Sequence, residues 1–426
     1  MKRILIIAAV LLTSFSVMAQ RPTNNPFSRF GVGELVFQGF GANIAMGHTG
    51  IATYSHFRYS KLNPASYSAL GRNHVAFNFG FSNKLSQFVT QDTAVINNVS
   101  DISFISMAFP VAKWLYMSFG VIPYSGIGYT IEVSDSLYTD VSGTKIKETY
   151  DGSGGINQIY FGSAIKPFHN LSLGYNLYYR WGNLERHTLV VIDENSYDAT
   201  TKLFNTLVNS GFAADFGFIF NDTIINKDEK RNLFEYTIGA TYSPASTLKG
   251  TYMRYVSRWV RYYSNNFTDT LQNDTLQTYT LPLAQSYGIG VSFKFKDKLK
   301  VEFNYFSSQW KGLNVLDQSG NLQNSQLLAF GMEYCNDPFS SKYIRRMRFR
   351  LGAFSYKTYL NLNNTSIDRY GVTFGLGFPT KSSVINTSFE LGTKGTINNN
   401  LFKENYFLFN LDLTIHDLWF IRRKFL

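Results

Sequence analysis

Lys300 to Phe306 reads KVEFNYF, with Val301, Phe303 and Tyr305 on one face of an extended chain and Lys300, Glu302 and Asn304 on the other. Alternation of this kind belongs to a strand that meets an apolar phase on one side and a polar one on the other. The pattern recurs. In Arg346–Leu351 (RMRFRL), Met347, Phe349 and Leu351 oppose Arg346, Arg348 and Arg350. In Tyr406–Ile415 (YFLFNLDLTI), Phe407, Phe409, Leu411, Leu413 and Ile415 oppose Asn410, Asp412 and Thr414. Ten tilted residues cover roughly the 25 Å apolar band of a membrane barrel.

Past residue 70 the chain repeats this unit, punctuated by Gly, Asn, Asp, Ser or Pro. Strands are predicted at 74–83, 101–110, 114–133, 155–166, 170–183, 211–220, 233–257, 284–295, 298–308, 325–335, 346–357, 370–378, 384–393 and 404–416. Their connections alternate between short turns and longer polar loops, as in a transmembrane barrel with short periplasmic turns. Parity makes 233–257 one long strand interrupted near Pro244. The fold class is therefore all-β: a transmembrane antiparallel β-barrel of about fourteen strands, residues 71–426, with both termini in the periplasm.

Composition agrees. The chain has 38 Phe, 28 Tyr and 5 Trp, yet only 16% charged residues. Aromatic surface on that scale needs burial or a membrane interface, and a barrel in lipid offers both. No run of eighteen apolar residues follows residue 20, and mean hydropathy is −0.13. At the start, Lys2 and Arg3 precede an apolar stretch from Ile4, with Val17 and Ala19 at small-residue positions. That layout predicts a signal peptide over 1–19, cut before Gln20, and places the protein in the outer membrane of a Gram-negative bacterium.

Residues 20–70 form a third region, rich in Gly, Ala, Ser and Asn, with GANIAMGHTGIA at its centre. It is too small and polar to build a core of its own. It is either a linker or a plug folded into the lumen, and Phe27, Phe30, Leu35, Phe37 and Phe40 favour the plug.

Other classes fit poorly. A net charge of +11 is spread along the chain without a nucleic-acid-binding motif. Cys335 is alone, the six histidines show no metal-ligand spacing, and no catalytic constellation is legible. No metal, cofactor or catalytic residue is assigned. With Met347, Phe349 and Leu351 toward lipid, Arg346, Arg348 and Arg350 face the lumen. They form either a cationic ladder for a carboxylate or a salt-bridge network with Glu333 and Glu302.

The chain resembles the FadL family of outer-membrane transport proteins for hydrophobic compounds. The resemblance rests on Asn63-Pro64-Ala65 after the small-residue run Gly41–Ala52, which is similar to that family's hatch motif. It extends to FNYFSSQW (Phe303–Trp310), GATYSPASTLKG (Gly239–Gly250), AFGMEY and MRFRLGAF. It implies a fourteen-stranded barrel with an N-terminal hatch that takes up hydrophobic compounds such as long-chain fatty acids. Release would be sideways into lipid where a strand is kinked. Pro123, flanked by Gly120 and Gly126, is the expected kink, because every strand of a closed barrel is paired and a missing N–H breaks the ladder. Some barrels resembling this family instead serve secretion or assembly complexes, the type IX secretion system among them, so an anchoring role with outer-membrane partners is the alternative. The chain ends on Leu426, with the aromatic Phe425 one place early. The last strand thus closes either near Ile415 or as far on as Phe425.

Overall fold

Alternation along the strands becomes burial in the computed structural model, which describes residues 23–91, 93–135, 145–194, 197–226, 231–262, 265–316, 322–380 and 382–419. In the predicted strand around Glu302 that side chain is fully enclosed while Phe303 is 46% exposed, and Arg350 is enclosed while Leu351 lies open. An apolar outside and a polar inside invert a soluble core. This is the arrangement for a wall surrounded by lipid.

The strands are β1 (Glu34–Leu35), β2 (His74–Val89), β3 (Ala94–Pro110), β4 (Leu115–Asp135), β5 (Lys145–Phe168) and β6 (Leu171–Glu194). They continue with β7 (Tyr197–Asn226), β8 (Arg231–Ser243), β9 (Ser246–Tyr262), β10 (Asn265–Leu283), β11 (Ser286–Phe295) and β12 (Leu299–Ser308). The last are β13 (Ser325–Tyr334), β14 (Arg348–Leu362), β15 (Thr365–Pro379), β16 (Ser383–Gly395) and β17 (Lys403–Leu418). Neighbours pair antiparallel, and β17 closes the barrel on β2, from Lys403 opposite Val89 to Leu418 opposite His74. β8 runs into β9 through Pro244 and Ala245, and β10 into β11 through Ala284 and Gln285, so each pair is one interrupted wall strand. β1 pairs with β4 from within. The wall is thus the fourteen-stranded barrel that the alternation predicts.

Two expectations need correction. The long external loops are largely strand: Val89 pairs with Ala94, Glu194 with Tyr197, and Tyr262 with Asn265. Above the membrane both faces of a hairpin meet water, so Thr, Asn and Tyr continue the ladder with no apolar face to signal it. Second, Arg346 is not on the lumen ladder. It ends a short helix, Tyr343–Arg346, with its guanidinium over the Tyr343 ring, and β14 begins at Arg348. The last strand, whose end the sequence leaves open between the neighbourhood of Ile415 and Phe425, is described as strand to Leu418. The predicted signal peptide and the run to Phe425 lie outside the described residues.

Residues 23–70 lie inside the barrel, joined to opposite walls. On one side Glu34 takes Lys394 at 3.0 Å, His48 meets Glu390 at 2.8 Å, and Arg58 grips Glu333 with two nitrogens at 2.8 and 2.9 Å. On the other, Tyr67 donates to Asn176 and Ser68 to Ser172. Small wall residues admit this segment. A side chain at Gly217 would strike Asn63 and Pro64, and one at Gly352 would strike the backbone at Gly47.

Candidate functional site

The sequence motif Asn63-Pro64-Ala65 opens a 3-10 turn, Pro64–Ala69. Asn63 caps it, its side-chain oxygen accepting from the Ala65 N–H at 3.1 Å. The same amide donates to the Ile51 carbonyl at 2.7 Å and to the Phe218 carbonyl of β7 at 3.0 Å. The motif therefore ties two parts of the N-terminal segment to the wall. It is a fastening.

Above it, between the segment and the wall, lies a cavity of about 160 Å³. Leu35, Leu62, Phe306, Trp310, Leu327 and Tyr356 supply apolar lining. In volume the cavity is comparable to a benzene-sized molecule. One end is polar. Arg180 donates to Gln158 at 3.0 Å and stacks 4.2 Å from the Tyr124 ring centre. Lys61 donates to Gln38 at 2.6 Å and sits 4.7 Å from the Tyr178 ring. Asp215 accepts from the Tyr178 hydroxyl. Lys61 belongs to the N-terminal segment, which does not itself cross the membrane. Burial pushes its ammonium down to about 7, against the upward pull of Asp215 and with help from Arg180. The polar end thus carries a guanidinium beside an ammonium whose charge changes near neutrality.

Gly120, Pro123 and Gly126 all lie on β4, at the seam with β3. Those two strands pair only from Ile105–Val121 down to Pro110–Tyr116. Outward of Val121 the β3–β4 ladder is absent, and the β4–β5 ladder shifts register between Pro123 and Ser125. A groove of about 510 Å³ lies there, lined by Ile102, Ile105, Val121, Pro123, Asn157 and Trp181 among others. From inside, the seam is covered: β1 pairs with Gly126 and Ser125, Val36 donates to the Tyr124 carbonyl, and Gln38 donates to that of Pro123.

Arg348 and Arg350 do face the lumen, but at its periplasmic end. Glu333 takes both, Arg350 at 2.6 Å and Arg348 at 3.5 Å, together with Arg58. Arg350 is fully enclosed and also holds Asn386. Arg58 fastens the N-terminal segment to Glu333, and Arg348 and Arg350 hold that carboxylate from the wall; neither of the two lines the cavity. The cations that do line it, Lys61 and Arg180, went unselected from the sequence. Arg180 carried a signal: it alternates with Tyr178 within an aromatic strand. Lys61, two residues before the motif, carried none.

The family described as BamG matches the whole chain, residues 1–426. No curated protein matches it in sequence. Among solved structures, the Ralstonia pickettii toluene transporter TbuX superposes with a TM-score of 0.57 at 14% identity, covering 89% of this chain and 98% of that one. A Pseudomonas aeruginosa FadL homologue gives 0.57 at 11% identity, with 91% and 99% covered. The P. putida toluene transporter TodX gives 0.56 at 12%, with 91% and 100% covered. At such identities the likeness is one of fold, and it agrees with the FadL-like barrel of the sequence reading.

Proposed function

The chain belongs to the BamG family, and from that premise and the barrel it forms we propose that it is an outer-membrane channel for compact hydrophobic compounds. The observation that carries this is the apolar cavity between the inner segment and the wall. Each buried CH₂ contributes about 0.8 kcal/mol, so such a pocket holds an apolar solute with few polar contacts. Its volume favours a single ring or part of an acyl chain over a whole long-chain fatty acid, narrowing the sequence expectation. In this reading residues 23–70 act as the plug. Lateral release into lipid follows the Pro123 seam once the Leu35–Gln38 stretch moves aside, because passage through water would forfeit the burial energy.

Toluene and hexadecanoate should be offered to the detergent-solubilised protein and binding followed by ligand-observed NMR. Saturable toluene binding that disappears in Leu62→Trp, a cavity-filling variant, is expected. No saturable binding, or binding indifferent to Leu62→Trp, would sink the channel reading. A second reading, a barrel that anchors partners, is favoured by the periplasmic turn before β14. There Phe339 is 89% exposed beside exposed Tyr343 and Ile344. Loss of a stoichiometric co-purifying protein in Phe339→Asp, with toluene binding intact, would select it.

A further inference from the structure

The β6–β7 ladder is unbroken from Leu171–Phe220 to Glu194–Tyr197. On its other edge β7 loses its partner. Phe216 pairs with Tyr242 of β8 and Ser210 with Lys249 of β9, but Gly211–Asp215 between them face Ser243–Leu248 with no ladder. The β8–β9 side carries one residue more than β7 across this interval, and Pro244 has no N–H to donate. Within the break Ala213, Ala214, Ser243 and Pro244 are small, as is Ala284 in the neighbouring β10–β11 interruption. All five line the cavity. On the outside two β7 side chains stand well exposed: Phe212 within the break and Phe216 at its membrane end.

Height places the break. The β8–β11 ladder runs ten residues, from Phe295–Phe234 up to Ser286–Ser243. At 3.3 Å per residue and a 45° tilt that is about 23 Å, the depth of the apolar band. The break starts where this ladder stops, at the outer interface, among exposed Tyr242 and Tyr287. No part of β1 covers it. β1 and the residues after it bond to β4, on the Pro123 side.

We propose that the break between β7 and β8–β9 is an entrance at the outer interface of the membrane, through which a compact apolar compound held at the boundary between lipid tails and headgroups reaches the cavity. The proposal rests on the cavity being the ligand site. Entry and release then use different openings: the break at Pro244, which β1 does not cover, admits, and the seam at Pro123, closed from inside, releases.

The test uses the full chain in phosphatidylcholine vesicles with 3-trifluoromethyl-3-phenyldiazirine, a single-ring photolabel that partitions into lipid. Labelled residues are mapped by mass spectrometry in wild type, in Ala214→Trp and Ala245→Trp, which fill the break from its two sides, and in Val121→Trp, which fills the groove at the seam. Heat-modifiable migration on gels confirms that each variant folds. Labelling of Leu62 and Leu327 should fall at least tenfold in both break-filling variants and persist in Val121→Trp. Persistence in Ala214→Trp and Ala245→Trp overturns the entrance, and so does an equal loss in Val121→Trp. Absence of cavity labelling in the wild type overturns the channel reading itself, a separate outcome.

Discussion

At Pro123 the wall gives way along the outer part of one seam, β3 against β4, while at Pro244 it gives way over a few residues between β7 and β8–β9. Each site has a proline where every strand should be paired, and each shows a register shift or an extra residue beside it. Behind the first stands a second layer of backbone, with β1 bonded to Ser125 and Gly126 and Gln38 to the Pro123 carbonyl. Behind the second stands the cavity itself. A broken ladder is therefore not by itself an opening. What packs against its inner side decides whether a solute can pass.

The largest way to break this contrast is to remove the inner layer. Deleting residues 23–60 should leave a folded barrel whose single-channel conductance in planar bilayers rises about tenfold or more, because the lumen loses its filling. An unchanged conductance would show that the segment does not plug it. Next comes the fastening far from both breaks. Glu333→Ala leaves Arg58, Arg348 and Arg350 without their shared carboxylate and should lower stability by about 3–5 kcal/mol, read from urea unfolding in detergent. A loss below about 1 kcal/mol would mean that water reaches these groups.

Smaller effects sharpen the difference between the breaks. Pro123→Val restores an N–H at the seam and should slow toluene efflux from vesicles several-fold while leaving cavity photolabelling unchanged. If labelling falls instead, the seam is an entrance as well. Finally, the Lys61 ammonium, lowered to about 7, is charged below that pH and loses its proton as pH rises through it. Affinity for an aryl carboxylate should fall a few-fold between pH 6 and 8, while affinity for toluene stays level. Parallel curves for the two ligands would show that Lys61 does not meet the ligand.

Much of the wall was legible because a barrel strand in lipid must alternate, so residues such as Glu302 and Phe303 declare their faces. The interruption at Pro244 was legible too, since proline cannot donate. The hairpin β9–β10 was not, because its two faces share one solvent. Arg346 was misplaced for a related reason: period two continues through RMRFRL, but a helical turn intervenes before β14 and nothing in the alternation marks it.

The site divides the same way. The sequence by itself determined a fourteen-stranded barrel and its inward and outward faces, because these follow from local backbone chemistry and a two-residue period. Only the tertiary structure decided that Arg348 and Arg350 share the Glu333 carboxylate with Arg58, and that Lys61 and Arg180 share the cavity. It alone shows that β1 bonds to β4 beside Pro123, whereas the cavity lies beside Pro244. Those relations join residues distant in the chain, through the packing of an inner segment whose path no local pattern encodes.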